Sequence, residues 1–448
     1  MLSPQAASDR AADLVARARR AGADAADAVY SASSSEGIQV RLGKLEDVER
    51  SEGEHMGLRV FIGQRTASIG SSDLSPSALD ELAARAVAMA AAAPEDRFAG
   101  LAPRDMLAQG PFPELDIRDP ADPGAEALRD AAREAEDAAR GVAGVTNSDG
   151  ASASAGFGLF ALATSHGFVG SYGTSSHSIG ASVVAGEGAG KQRDSAWRSA
   201  RHRQDLPPAA EIGALAGSRA VERLNPGRMR SGPMPVVFDP RVSAGLLGHL
   251  IGAMSGSAIA RRSSFLLDKL EDNLFDPSIA ILEDPHAPRG QRSRPFDGEG
   301  LATRARTLVE NGRLTGWLMD SASARQLGLA PTGHAARSGG GAPGVSVGNV
   351  HLGAGPLSPE ELIGDIAEGV LVTELIGHGV NGVTGDYSRG ATGFRIVDGA
   401  IAGPVAEFTV AGNLLAMFAR MTPASDLEWH RPINAPTLRI EGMTVAGD

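Results

Sequence analysis

Hydrolytic chemistry needs a positioned nucleophile, or a metal-bound water with a base beside it, so the histidines are the natural starting point. The chain has ten. A metal site on a helix needs ligands at i and i+3 or i+4, and no two histidines have that spacing. Glu374 and His378 are four apart in GVLVTELIGHGV. That run reads as a buried strand breaking into a loop, so the pair makes only a weak candidate for a metal or for acid–base work. His249 sits alone in an uncharged stretch, where a histidine is more often a satisfied core residue than a catalytic one. No GxSxG elbow is present, so a serine hydrolase of that class is unsupported. The glycine-rich run at 338–344, SGGGAPG, has no Lys-Ser/Thr after it and opens no helix. It therefore fails as a phosphate loop and reads as a flexible loop over a cleft. The densest polar cluster is GVTGDYSRGATGF at 382–394. Asp386, Tyr387, Ser388 and Arg389 lie there between glycines, which let a backbone approach a ligand or a partner chain. A structural turn is the plain reading of that cluster, and a binding or interface loop is the functional one.

The elements that must position these groups are organised around Pro235–Leu270. An apolar strand, Val236-Val237-Phe238, runs into Asp239-Pro240. Asp suits an N-cap and Pro the first helical position. From Val242 to Ala260 no side chain is charged, but the glycines and serines leave the segment too weakly apolar for a membrane span. It is expected to be a buried helix over 240–256. Leu246, Leu247, Leu250 and Met254 share one face. Gly245, Gly248, Gly252 and Gly256 gather opposite them with His249. Each interior glycine costs about 1 kcal/mol relative to alanine, and close backbone approach is the usual compensation. Tight packing of the helix on a sheet is the expectation, and a helix lining a site is the alternative.

Composition bounds the rest. A length of 448 residues favours two domains, with the boundary in the Pro/Gly-rich run NPGRMRSGPM: an N-terminal α+β domain over 1–227 and a mostly-β domain over 228–448. A net charge of −12 argues against nucleic acid or an anionic membrane as partner. Without cysteine, neither disulfides nor thiolate metal sites are possible. The N-terminus becomes an amphipathic helix at once and lacks an apolar signal core, so a cytoplasmic location is expected. Small polar caps followed by proline predict helices from Ser3, Ser75, Asp122, Asp205 and Ser358, the last with Glu361 completing a capping box. Between them, Gly37–Val48 and His55–Ile62 alternate as a hairpin turning near Glu52-Gly53. Val142–Ala200 reads as several short strands with turns at Asp149-Gly150, His166-Gly167 and 186–190. Asn311-Gly312 and Asp398-Gly399 are hairpin signals. The fold class is α+β, with mainly antiparallel sheets and flanking helices.

Several stretches together resemble the TldD/PmbA family, and its PmbA (TldE) branch most. They are FDPRVSAGLLGHLIGAMSG, RRSSFLLDKL, PFDGEG, NGRLTGWLMDSASARQLGL, VTELIGHGVNGVTGDYSRGATGF and PVAEFTVAGNL, and the similarity covers essentially the whole chain. The resemblance implies a two-domain α+β protein in a cytosolic metallopeptidase assembly of two homologous subunits, which trims peptides inside a closed chamber. The active branch carries HExxxH on a helix, with a cysteine near the C-terminus as a further zinc ligand. In this sequence Gly248 and Ala253 stand where the histidines would be, His249 stands where the glutamate would be, and no cysteine exists.

The resemblance therefore implies a subunit that binds no metal and has no catalytic residue of its own. Zinc is expected only in a TldD-like partner, which this chain would join as a heterodimer around a peptide substrate. The helix face Gly248, His249, Gly252 and Ala253 would line the family's active-site position, with the segment Asp386–Arg389 holding substrate or partner. Two alternatives stand beside this. One is a homodimeric peptide-binding scaffold. The other is a hydrolase using a non-zinc site built from His249, Glu374, His378 or the Asp386–Arg389 loop.

Overall fold

The proline-flanked caps start helices close to where the sequence puts them. The computed structural model describes residues 1–337 and 339–447. In it α1 (Pro4–Arg20) and α2 (Pro76–Ala92) begin on Ser3 and Ser75, whose hydroxyls accept from the Ala6 and Ala78 amides. The next helix, α3 (Gly124–Arg140), starts just after Asp122-Pro123, and the Asp122 carboxylate accepts from the Gly124 amide at 3.1 Å. Pro208 precedes α4 (Ala209–Glu222).

These four helices cover one face of an antiparallel sheet built from β1 (Ala25–Arg41), β2 (Lys44–Ile62), β3 (Arg65–Ser71), β4 (Val145–Thr164), β5 (Val169–Ala185) and β6 (Gln192–Ala200). Their order is β3-β2-β1-β4-β5-β6. Alternation along β1 sends Ala28 and Tyr30 under α1 and α2, and Ile38 and Val40 under α3. The opposite face gives Val29 and Leu162 to a cluster with Phe168, Phe296 and Leu301.

Two turn expectations are corrected here. The first hairpin turns at Leu42-Gly43, where φ of 52° and 74° makes a tight left-handed pair. Glu52 and Gly53 run on inside β2, opposite Ser34 and Ser33. Asp149-Gly150 is a bulge rather than a turn: the register slips between Ser148 and Gly150, and Gly150 takes φ 108°. The expected short strands therefore fuse into long ones.

The second half opens with β7 (Gly232–Phe238), α5 (Pro240–Ala253) and α6 (Gly256–Ala260). Next come β8 (Ile281–Asp284), β9 (Arg306–Glu310), β10 (Arg313–Leu314), α7 (Ser321–Leu327), β11 (Ala335–Ala336), β12 (Gly344–Val345) and β13 (Asn349–Leu352). The chain continues with α8 (Pro359–Ile363), β14 (Glu368–Ile376), β15 (Asp386–Val397), β16 (Ala400–Asn413), α9 (Leu414–Ala419), β17 (Met421–Pro423), β18 (Ile433–Asn434) and β19 (Leu438–Ala446). The capping box on α8 is complete in both directions. Asn311-Gly312 and Asp398-Gly399 make the predicted turns, both residues of each being left-handed.

The order β16-β15-β14-β7-β19-β17 closes on itself, because β16 also pairs with β19. A second sheet runs β10-β9-β8-β13-β18. The fold is thus mixed α+β with mainly antiparallel sheets. No helix among the described residues is long and apolar enough to cross a membrane.

The halves are tied together by buried charge. Arg59 donates from Nε to Asp27 at 2.8 Å and lies 3.6 Å from Glu299, while Arg337 reaches Asp27 from the second half. Ser338 of the expected glycine-rich loop lies outside the described residues. Gly340 does not cover a cleft: a side chain added there would strike the Ile69 backbone of β3 at 2.7 Å.

The central helix is shorter than 240–256 and only half buried. Asp239 caps it, accepting from the Arg241 amide at 2.8 Å. It stops at Ala253, where Met254 closes it and Ser255 bridges to Leu318. Leu246, Leu247 and Leu250 are 1–2% exposed in the shared core, each contributing about 1.5–3 kcal/mol by burial. The expectation of a tightly packed glycine face is wrong for this helix. Gly245, Gly248 and Gly252 are exposed, and a Cβ on any of them would meet nothing within 4 Å. Only Gly256, which begins α6, is crowded, by Ser323 and Met319.

Candidate functional site

The polar cluster expected as a loop is the start of a strand. Asp386–Arg389 pairs with Asn413–Val410 of β16, and strand alternation then divides the four residues. Asp386 and Ser388 are exposed, while Tyr387 is 2% exposed and Arg389 half-buried. Tyr387 meets α5: its ring lies edge-on to His249 with centroids 6.1 Å apart. The structure thus brings together His249, Tyr387 and Arg389 beside the open glycines, out of all the residues the sequence singles out.

Electrostatics in this corner are set by one cation. Burial, then Arg389, pull the His249 imidazole below the usual histidine range, so the ring is neutral at pH 7. Burial pushes the Tyr387 phenol up to about 12, against the opposing pull of Arg389. Arg389 reaches the Leu375 carbonyl at 3.4 Å, and its Nε and the Tyr387 hydroxyl are buried without a partner. Buried donors are normally satisfied, so this corner holds unused hydrogen-bonding capacity next to an uncrowded surface.

The other candidates fall elsewhere. Glu374 accepts from Arg223 at 2.7 Å and from the Thr392 hydroxyl at 3.3 Å, so it serves as a tie to the first half. His378 lies exposed past the end of β14, its carbonyl accepting from Val380 at 2.7 Å. The structure gives no contact between Glu374 and His378. Asp386 is held below the ordinary carboxylate range by the Thr384 hydroxyl at 2.7 Å and Asn413 at 3.2 Å, a local strand-start device.

For a metal, the helix face Gly248, His249, Gly252 and Ala253 offers one imidazole. The guanidinium of Arg389 opposes a cation there. Among the described residues no group of three or more His, Asp or Glu is placed to hold a metal ion. Such a donor set does not fit zinc, which takes at least three protein ligands.

Sequence reasoning also missed a feature of the junction between the halves, where arginines from β6, α4, α5 and the segment before β18 line a common cavity. They are scattered from Arg193 to Arg431, and no local pattern announces them.

The architecture is shared with solved structures. A putative modulator of DNA gyrase from Bacteroides thetaiotaomicron superposes with a TM-score of 0.89 at 26% identity, covering 98% of each chain. TldE from Thermococcus kodakarensis gives 0.86 at 22% identity, covering 98% of this chain and 100% of that one. The fold is therefore the mixed α+β architecture seen in those structures. Family models for the PmbA/TldA metallopeptidase match residues 26–90 (domain 1), 118–224 (central domain) and 231–447 (C-terminal domain). Metalloprotease PmbA of Escherichia coli O157:H7 is 36% identical over 426 residues, 95% of this chain and 92% of the relative. The PmbA homolog of Haemophilus influenzae is 35% identical over 439 residues, 96% and 94%. The chain belongs to the PmbA/TldD family, and its role at the family level is peptidase-related.

Proposed function

We propose that this chain is the non-zinc-binding subunit of a cytoplasmic PmbA/TldD-type peptidase assembly that cleaves or matures small peptides. The observation that carries the reading is the open face of α5. Glycines and one neutral histidine stand where a peptidase helix would present metal ligands, yet the face is kept clear and flanked by Tyr387 and Arg389. A surface that has no ligands and no packing partner, but retains spare buried donors, suits holding a peptide for chemistry performed by another chain. The partner is a zinc-bearing homologue with the HExxxH motif, and the active unit is the heterodimer. Zinc analysis of the untagged chain after dialysis is expected to give far less than one zinc per chain. Co-purification is expected to retain the homologue, and cleavage of an unfolded peptide is expected only from the mixture. One tightly held zinc per chain, or full cleavage by the chain alone, would overturn the reading. A stable homodimer that ignores the homologue would return the chain to the scaffold class.

A further inference from the structure

The junction between the halves contains a concentration of positive charge that a chain of net −12 has no evident structural need for. A cavity of about 520 Å3 there is lined by Arg193, Arg198, Arg219, Arg223, Arg241 and Arg431 against two acids, Asp194 and Glu374. Adjoining cavities of about 470 and 510 Å3 share Arg198 and Arg431 with it. Both acids are already engaged. Asp194 pairs with Arg223 at 3.2 Å and Arg241 at 3.4 Å, and Glu374 pairs with Arg223.

Arg193 lies 3.9 Å from Asp149. Arg198, Arg219 and Arg431 form no salt bridge among the described residues, with only the more distant fields of Asp194 and Asp239 reaching Arg219 and those of Asp239 and Glu428 reaching Arg431. Arg198, Arg219 and Arg431 donate only to the backbone carbonyls of Trp197 at 3.0 Å, Ser195 at 3.3 Å and Arg241 at 2.9 Å. The Nε of Arg431 is buried with no partner, and its guanidinium stacks 5.4 Å from the centroid of the half-exposed Trp197 ring. Their fields overlap: burial and then these arginines push His430 down to about 4. Like charges held together at a wall cost stability unless something neutralises them.

We infer that this cavity binds the carboxylates of an acidic peptide segment through Arg198, Arg219 and Arg431. Guanidinium forks match carboxylates by paired hydrogen bonds. Val242, Leu375 and Trp197 supply apolar wall between the charges, which suits a peptide's alternating backbone and side chains. The inference rests on the peptide reading above and adds a substrate class to it.

The test uses the full chain alone, without a partner, so that it stands or falls separately from the subunit reading. Quenching of the chain's tryptophan fluorescence, to which Trp197 in the cavity wall contributes, is measured with an acidic hexapeptide of Asp and Glu, with the Asn/Gln hexapeptide of the same length, and with inorganic phosphate. The acidic peptide is expected to bind at least about tenfold more tightly than the neutral one, with binding weakening as salt rises. R198Q/R431Q is expected to lose about tenfold in that affinity while its Tm stays level or rises, because repulsion is relieved. R219Q provides an independent variant if the double one does not fold. Equal binding of both peptides, undiminished binding by the folded variants, or binding of phosphate alone would overturn the inference.

Discussion

Glycines on α4 and α5 do opposite things. On α4, Gly213 and Gly217 lie against α3 so closely that a Cβ at 213 would collide with the Ala135 carbonyl, and one at 217 would meet the Ala139 carbonyl at 2.8 Å. The residue that costs helix propensity there is recovered as close helix–helix contact. On α5, Gly245, Gly248 and Gly252 carry the same propensity cost and touch nothing. Two helices in one chain therefore show that glycine spacing alone does not distinguish a packed surface from a vacant one. Only the neighbouring element decides, and the vacant case is the one that needs a functional explanation.

The sharpest way to break this comparison is to fill both surfaces. Gly213→Ala should cost about 3 kcal/mol, since the α3 backbone must move; chemical denaturation measures it, and a loss below about 0.5 kcal/mol would mean the helices separate freely. Replacing Gly245, Gly248 and Gly252 together by alanine should instead stabilise the chain by about 3 kcal/mol, and a fall in the denaturation midpoint would show that the face is packed after all. Gly252→Leu should leave stability within about 0.5 kcal/mol. If the open face serves a peptide, the same variant should lower cleavage by the reconstituted pair several-fold, and full activity with normal pairing would remove that face from the site. The smallest effect is electrostatic. Arg389→Ala should raise the His249 pKa, because it removes the charge that adds to burial in depressing it, and an NMR titration unchanged by the substitution would separate the two residues. The sign for stability follows. A histidine depressed in the fold contributes stability that is present above the free-histidine range and lost as pH falls through the folded value. That loss should be smaller in the Arg389→Ala protein.

Much of the scaffold was legible because its signals are local. Ser-Pro caps, the Ser358/Glu361 box and the two left-handed hairpin pairs each depend on a few adjacent residues. Errors came where a local signal competed with pairing. Glu52-Gly53 resembles a turn, yet β2 has a full partner strand at that point, and the chain instead turns at Leu42, a residue type seldom found at positive φ. Asp386–Arg389 resembles a loop because glycines flank it, but β16 supplies a ladder. The candidate site was half legible. His249, Tyr387 and Arg389 each drew notice from their surroundings, while their meeting depends on strand parity and on where α5 crosses the sheet. The arginine wall was invisible, since its members come from separate elements and share no spacing.

The closed order of the C-terminal strands has a consequence for how the chain reaches its fold. Val236 of β7 is hydrogen-bonded in register to Val370 on one side and Ile440 on the other. The strand that leads into α5 is therefore among the first of its half to be synthesised and the last to be fully paired. Until β19 arrives, the leucines of α5 have only part of their core, and β7 and β16 present bare edges of the kind that recruit other chains. Such long-range closure slows folding relative to the local hairpins of the first half. On a ribosome the N-terminal sheet and its helices can assemble while the second half waits, which makes the nascent second half the stage most in need of chaperone cover.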